Sequence, residues 1–215
     1  MKNSNFVKVN TLPQDLFIRL REDILAGKFP AGSKLSEQSI CDEYMVSRTP
    51  VREAFQKLEL EGIIEIIPNR GAYISELSKQ DIDDAYEILK ALEAVAIKLA
   101  IERISDEEIK QLQEIYELME FYTVRKDLDK LARENVKFHN AIHEATGNAM
   151  IAQTLACCLT RTRKNQYRKD WGTDFLEDEL AEHEAIFMAL VAKDKETAVA
   201  AAVRHVRNGK KRANI

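Results

Sequence analysis

Apolar side chains recur at every third or fourth position over most of the chain, which is the spacing of amphipathic helices. Over residues 12–62 this spacing predicts three helices, with a break at Gly27, a cap at Ser36 and Pro50 in the first turn of the third helix. Residues 63–74 form short β-branched runs around a Pro-Asn-Arg-Gly turn and predict a hairpin. Three helices followed by a hairpin are typical of a winged helix-turn-helix.

The chain keeps helical spacing from Ser78 almost to its end and shows no strand pattern there. Capping residues begin helices at Ser78 and Ser105. Polar breaks between the apolar runs indicate six or seven helices and lie near 103–105, 126–127, 147–148, 171–174 and 193–194. Helices joined by short connections pack as a bundle. The sequence therefore predicts a mainly α fold of two domains, a winged helix-turn-helix over 1–77 and an all-helical domain over 78–215.

The composition predicts a protein of the reducing cytoplasm. The three cysteines, Cys41, Cys157 and Cys158, give neither a disulfide framework nor a paired metal motif. The N-terminal residues lack the apolar run of a signal peptide, and no stretch approaches the ~18 apolar residues that suggest a membrane span. We therefore expect a cytoplasmic location and no membrane partner.

The net charge of −4 argues against a protein that binds nucleic acid through bulk charge. Residues 1–76 contain ten Lys or Arg against eleven Asp or Glu, so the first predicted domain is not basic either. Any contact with DNA must therefore come from cations at particular positions.

The third predicted helix has cations at such positions. Arg48 and Arg52 are four residues apart and share one exposed face, while the apolar residues form a separate stripe. A helix that enters a major groove needs this arrangement, because its N-terminal residues reach base edges and its dipole favours phosphate. Either arginine can make a two-pronged contact with guanine, and the hydroxyls of Ser47 and Thr49 suit phosphate oxygens.

The sequence leaves alternatives open for both the hairpin tip and the third helix. Arg70 and Gly71 at the hairpin tip can reach a minor groove or the DNA backbone, or they can form an ordinary solvated turn. The two arginines of the third helix can instead pair with Glu53 or Asp42 on a surface helix that binds no DNA. The helix–turn–helix–hairpin spacing around them favours the DNA-binding interpretation.

Residues 34–75 resemble the DNA-binding domain of the GntR family of bacterial regulators, most clearly in VSRTPVREAF and EGIIEIIPNRGAYI. The resemblance implies that three residues contact operator DNA, namely Arg48, Thr49 and Arg52. It also implies that Gly71 marks the wing tip, and Gln38 stands where some relatives carry a DNA-contacting arginine. Such proteins bind near-palindromic, double-stranded operators as homodimers, which is the expectation for this chain.

All four histidines lie in the helical domain, at positions 139, 143, 183 and 205. Asn135 and His139 are four residues apart and share a helix face, whereas His183 and His205 belong to two later helices. Imidazoles from three helices can converge in a bundle on Zn²⁺ or another first-row divalent ion, with positions left for water or a ligand carboxylate. Alternatively, each histidine is an ordinary core or surface residue.

Residues 79–212 resemble the ligand-binding domain of the FadR-like branch of the GntR family, the FCD type, in ENVKFHNAIHEATGNAMI and AEHEAIFMALVAKDKETAVAAAVRHV. The resemblance implies a metal site of four side chains, namely Asn135, His139, His183 and His205. His143 falls outside this pattern and is expected to be structural or to support a ligand. Because Asn135 is a neutral amide where many relatives carry Asp, we expect a lower metal affinity or a different metal.

The same resemblance predicts an anionic effector. Lys90 stands where relatives often carry an arginine that faces the effector's carboxylate, and lysine keeps the charge but not the bidentate fork. A small organic acid, bound at or near the metal, is therefore the expected effector. Arg161 and Arg163 are further candidate contacts.

The function predicted from these features is transcription regulation, usually repression, with operator binding controlled by the effector, and not catalysis. One alternative is a helical metal-dependent hydrolase with an accessory winged domain, in which the metal activates water and Glu182 or Glu184 acts as base. Another is a winged domain used only for protein contacts, beside a metal-free bundle.

Overall fold

The computed structural model describes residues 12–25, 27–163 and 173–212, and the chain divides into two compact units, Met1–Glu76 and Leu77–Ile215. Most of the described residues are helical, which confirms the mainly α fold class. Among the helices of the described residues, none is both long and apolar enough to cross a lipid bilayer.

Over its described residues, 12–25 and 27–76, the first unit combines three helices with a small antiparallel sheet. Its elements are α1 (Leu12–Leu25), β1 (Lys34–Leu35), α2 (Glu37–Tyr44), α3 (Arg48–Leu60), β2 (Ile64–Ile67) and β3 (Gly71–Ile74). The strand order is β1-β3-β2, and Ala72 of β3 lies opposite Leu35 on one side and Ile66 on the other. The predicted helices and hairpin are confirmed. β1 was not predicted, because two residues are too few to show an alternating pattern.

The apolar stripe of α3 anchors this unit. Val51, Ala54, Phe55 and Leu58 are buried in one cluster with residues of the other elements, such as Leu20 of α1. Burial of a large apolar side chain contributes about 1.5–3 kcal/mol, so the stripe fixes the rotation of α3 about its axis. The N-terminal turn of α3 consequently presents its polar side chains to solvent.

Local geometry sets the connection between α2 and α3. Ser36 caps α2 through its side chain, and α2 is followed by its C-cap residue Met45, whose φ of 53° lies in the left-handed region and turns the chain away from the helix. Ser47 then returns to an extended conformation, and α3 begins at Arg48. Pro50 lies in the first turn, where its missing N–H costs no helical hydrogen bond.

The β2–β3 turn depends on Gly71. Its φ of 98° lies in the left-handed region, and a Cβ at this position would stand 3.2 Å from Cε of Lys34. We therefore expect Gly71→Ala to lower the free energy of unfolding by about 1–2 kcal/mol in urea titrations of the full-length protein. Gly27→Ala is the matched control, because Gly27 also has a positive φ, of 82°, but no atom lies within 4 Å of the Cβ that alanine would add. A Gly71→Ala protein as stable as the wild type would contradict this account of the turn.

The second unit contains six helices within its described residues. They are α4 (Lys79–Arg103), α5 (Asp106–Arg125), α6 (Leu128–Ala145), α7 (Ala149–Arg163), α8 (Leu176–Val191) and α9 (Lys195–Arg212). Capping boxes form at Ser78 and Ser105, as their sequences predict. The predicted breaks before α5, α6, α7 and α9 are observed, whereas the break predicted around Trp171 falls partly outside the described residues.

Helix α4 lies at the centre of this unit. It packs against α6, α7 and α9, while α8 packs against α5 and α9. The largest core cluster joins apolar residues of five helices, α4, α5, α6, α8 and α9. This packing brings one buried face of each of α6, α8 and α9 toward a common region.

Candidate functional site

The N-terminal turn of α3 forms an exposed polar surface. Ser47, Arg48, Thr49 and Arg52 are all exposed, because the buried stripe holds the other face of the helix in the core. Ser47 occupies the N-cap position, but its side chain makes no capping hydrogen bond. Backbone N–H groups without helical partners and the positive end of the helix dipole lie at this turn, so it is favourable for an anionic group such as phosphate.

Both arginines of this turn contact α2. Arg48 Nη2 donates to Oε1 of Gln38 at 3.0 Å, and Arg52 Nε approaches both carboxylate oxygens of Glu37, at 3.0 and 3.1 Å. The Arg52 side chain stays 63% exposed, so water and salt screen its pair with Glu37. These contacts can therefore be exchanged for contacts with DNA.

The ion pairs of the surface-helix alternative are not the observed ones. Within the described residues, Arg52 pairs with Glu37 and not with Glu53. Asp42 accepts a hydrogen bond from Nε2 of Gln38 at 2.9 Å. Gln38 is thereby held in the same exposed layer as the arginines, at the position where the family resemblance expects a DNA contact.

The wing tip lies on a different element of the same unit. Arg70 and Gly71 are exposed at the β2–β3 turn. The guanidinium carbon of Arg70 stands 5.7 Å from the centre of the Tyr73 ring, a cation–π arrangement, and the Tyr73 hydroxyl donates to the Arg70 carbonyl at 3.5 Å. These two contacts with Tyr73 stabilise the turn, while the guanidinium of Arg70 remains at the surface.

Three histidines meet inside the second unit, although they belong to α6, α8 and α9. One ring nitrogen of each of His139, His183 and His205 lies within 4.8 Å of the others, and the Nε2 atoms of His139 and His183 are 3.4 Å apart. All three side chains are buried. Asn135, one turn before His139, is buried beside them, with Nδ2 at 3.4 Å from Nε2 of His183.

This spacing fits a first-row metal ion. Two nitrogens that each lie ~2.0–2.1 Å from a tetrahedral Zn²⁺ stand about 3.4 Å apart. The amide of Asn135 offers an oxygen ligand when its carbonyl and not its nitrogen faces His183. Because three neutral imidazoles and a neutral amide leave the full charge on a divalent ion, such a site favours an anion at any further coordination position.

Hydrogen bonds outside the cluster orient two of the imidazoles. Nδ1 of His183 lies 2.7 Å from the backbone carbonyl of Glu179, and Nδ1 of His205 lies 2.8 Å from Oε2 of Glu182. A neutral imidazole that donates from Nδ1 keeps the lone pair of Nε2 for a metal. Burial, followed by the charge of His205, lowers the pKa of both His139 and His183 well below its ordinary value, which favours the neutral, ligating form.

Glu182 connects His205 to the C-terminal end of α9. Its oxygens accept from Nδ2 of Asn208 at 2.7 Å and from the two terminal nitrogens of Arg212 at 3.0 and 2.9 Å. Burial raises the pKa of Glu182, but these hydrogen bonds and the one to His205 outweigh burial and lower the pKa to about 2. A carboxylate with so low a pKa is poorly suited to act as the general base of a hydrolase.

Glu93 on α4 was not predicted from the sequence. Its Oε1 lies 2.8 Å from Nε2 of His143 and 3.8 Å from Nδ1 of His139, and its side chain is buried. Burial raises the pKa of Glu93, but the charge of His143, its hydrogen bond to Glu93 and the charges of His139 and His205 together outweigh burial and lower the pKa. The sequence carries one feature that could have indicated Glu93: it is an acidic residue within an apolar stripe, four residues after Leu89 and four before Ile97.

Removing Glu93 tests its role directly. We expect Glu93→Leu to lower the free energy of unfolding by about 2–4 kcal/mol, because it leaves the His143 ring buried without its acceptor. Urea unfolding in the presence of a metal chelator measures this loss. The double variant Glu93→Leu, His143→Phe is the matched control and should recover most of the stability. An unchanged stability of the single variant would contradict the pairing.

Three side chains were predicted to contact the effector, namely Lys90, Arg161 and Arg163. Lys90 Nζ pairs with Oε2 of Glu87 at 3.0 Å near the surface of α4. Arg161 is half-buried on α7, and the side chain of Arg163 lies outside the described residues. Among the described residues, no hydrogen bond or ion pair joins Lys90 or Arg161 to the three histidines.

Two family descriptions match this chain, one for each unit. "Bacterial regulatory proteins, gntR family" matches residues 12–74, and "FCD domain" matches residues 84–208. The first match contains the exposed turn of α3 and the wing. The second contains the three clustered histidines and Asn135.

Similar proteins of known sequence are transcription regulators. The HTH-type transcriptional repressor RspR of Escherichia coli is 36% identical over 93 residues, which span 43% of this chain and 41% of RspR. The chain therefore matches only about two-fifths of the length of that curated relative. The HTH-type transcriptional repressor GlaR of E. coli is 25% identical over 187 residues, covering 81% of this chain and 83% of GlaR.

Solved structures share the fold over nearly the whole chain. E. coli McbR/YncC gives a TM-score of 0.84 at 21% identity and covers 95% of this chain and 98% of its own. A putative GntR regulator from Rhodococcus sp. RHA1 gives 0.75 at 22% identity, covering 94% and 97%. These comparisons point to a regulator and not to an enzyme, and they give the hydrolase alternative no support. The chain belongs to the GntR family of bacterial transcription regulators, with a GntR helix-turn-helix domain followed by an FCD effector-binding domain.

Proposed function

We propose that this regulator is a metal-containing repressor that binds a near-palindromic operator as a homodimer and releases it when an organic acid binds near the three histidines. The observation that carries the proposal is the outward presentation of Arg48 and Arg52, one helical turn apart, at the N-terminal end of α3. RspR and GlaR, two relatives of this chain, are both repressors, which supports the proposal that this chain represses transcription.

The DNA contacts divide into two kinds by chemistry. Arg48 and Arg52 have forked donors that suit the O6 and N7 atoms of guanine, so they would supply sequence preference. Ser47, Thr49 and Gln38 are exposed beside them and suit phosphate oxygens or base edges. For the remaining two positions, Arg70 and Gly71, we propose a contact of the wing with the minor groove or the DNA backbone.

The proposed metal ligands are Asn135, His139, His183 and His205, with Glu182 holding the ring of His205. A bound divalent ion supplies an electrophilic centre to which a carboxylate of the effector can coordinate. Oε1 of Glu93 lies 3.8 Å from Nδ1 of His139, and His143 holds that carboxylate in place at 2.8 Å. Lys90 remains a proposed effector contact, and its exposed pair with Glu87 would have to break for it to serve.

Control of DNA binding requires that the effector favour one arrangement of the protein over another. A ligand that binds two arrangements equally well shifts nothing, so the effector must contact groups whose positions differ between the DNA-bound and released forms. Two copies of α3 in a homodimer must also be separated by about one turn of DNA, ~34–36 Å, to occupy successive major grooves.

Selection from a random DNA pool by the full-length protein tests this function. We expect an enriched sequence with two symmetric half-sites, and at least one organic acid that releases the DNA with added Zn²⁺ but not after chelation. Failure to enrich any sequence would contradict the DNA-binding function. Release that is equally strong with and without metal would contradict only the metal-centred effector site.

A further inference from the structure

A cavity lies between α8 and α9, and one of its lining residues, Glu182, also contacts His205 of the three histidines. Its volume is about 500 Å³, which is within the range of ~300–1,000 Å³ typical of small-ligand sites. Three cationic side chains of α9 line it, namely Arg204, Lys211 and Arg212. The ring of Phe175 and the methyl group of Ala181 give the same cavity an apolar part.

The charges of this cavity do not cancel. Of its two carboxylates, Glu182 is already committed to Arg212 and to His205. Among the lining residues that the structure describes, Asp178 is then the one carboxylate left to oppose Arg204 and Lys211.

Those two cations are exposed and available to a ligand. Among the residues that the structure describes, neither Arg204 nor Lys211 takes part in an ion pair or a side-chain hydrogen bond. The cavity thus combines an excess positive charge, a guanidinium fork and an apolar wall. This combination suits a single carboxylate attached to an apolar body.

We propose that the α8–α9 cavity binds a small organic monocarboxylate, with the carboxylate between Arg204 and Lys211 and the apolar body against Phe175. The described lining of this cavity contains none of the proposed metal ligands, although Glu182 connects it to His205, and the proposed contacts with the carboxylate need no metal. The cavity adds to the proposed function a second place at which an organic acid can act on the second unit. Binding of a carboxylate here can be measured without any assay of DNA binding.

Calorimetric titration of the full-length protein with sodium benzoate tests the proposal, with benzamide as a neutral molecule of the same shape. We expect a Kd on the order of 0.1–1 mM for benzoate and no detectable heat for benzamide. Arg204→Gln and Lys211→Gln should each weaken benzoate binding by at least about tenfold. Arg207→Gln removes the same charge from an exposed position of α9 outside the cavity and should leave the Kd unchanged.

A variant of the metal centre separates this site from the proposed effector site. His139→Ala should leave the benzoate affinity unchanged, because the cavity does not include His139. Loss of binding in that variant would assign benzoate to the metal centre and overturn the proposal. An absent benzoate signal, equal binding of benzamide, or unchanged affinity in both Arg204→Gln and Lys211→Gln would overturn it as well.

Discussion

Replacement of Arg48 and Arg52 together by glutamine is expected to weaken binding to the selected operator by at least about a hundredfold, because each change removes one forked contact with a base. Both side chains are exposed, so the fold should survive the change. Gel shifts with operator DNA measure the effect, and thermal unfolding confirms that the variant is folded. Residual affinity should equal that for random DNA, since the backbone contacts remain.

A matched control comes from α1. Arg19→Gln removes one positive charge from another exposed position of the same unit, so it reports the general electrostatic contribution. We expect a similar, small loss of affinity for operator and random DNA, and no loss of the preference between them. If the Arg48, Arg52 double variant kept the preference of the wild type for its operator, the assignment of α3 as the recognition helix would be wrong.

His183→Gln is expected to reduce the affinity for Zn²⁺ by more than about a hundredfold, because loss of a direct ligand exceeds the 10–100-fold effect of losing a supporting contact. His183 has its Nε2 3.4 Å from that of His139 and its Nδ1 fixed by the Glu179 carbonyl. Competition of the full-length protein with a chromophoric chelator measures this affinity without any assay of DNA binding.

His143→Gln is the matched control for the metal prediction. His143 pairs with Glu93 and does not belong to the group of three imidazoles, so its loss should lower the Zn²⁺ affinity by less than about tenfold. A large loss in the His143 variant with none in the His183 variant would mean that the metal lies between Glu93, His139 and His143, which form another group of potential ligands. Unchanged affinity in the His183 variant would contradict the proposed centre.

Features determined by local spacing were predictable from the sequence. Ser47 to Pro50 mark the start of α3, and the apolar stripe that follows determines which face is buried, so the exposure of Arg48 and Arg52 follows from the chain itself. Asn135 and His139 share a face because they are one helical turn apart. The capping boxes at the starts of α4 and α5 are equally local.

Contacts between distant segments required the structure. Within the described residues, Arg52 pairs with Glu37, fifteen positions earlier, and not with Glu53 or Asp42, the partners considered from the sequence. Glu93 meets His143 across fifty residues, and only the packing of α4 against α6 brings them together. The short strand β1 exists because β3 lies beside it, since its own two residues carry no strand pattern.

Operator recognition as proposed depends most on direct contact between the N-terminal turn of α3 and base edges. DNA selection carried out in parallel with the wild-type protein and with Arg52→Gln tests this contact directly. We predict that the variant loses its preference at one base pair in each half-site and keeps the rest of the sequence. Enrichment of an identical sequence by both proteins would show that Arg52 does not contact a base and would contradict the account.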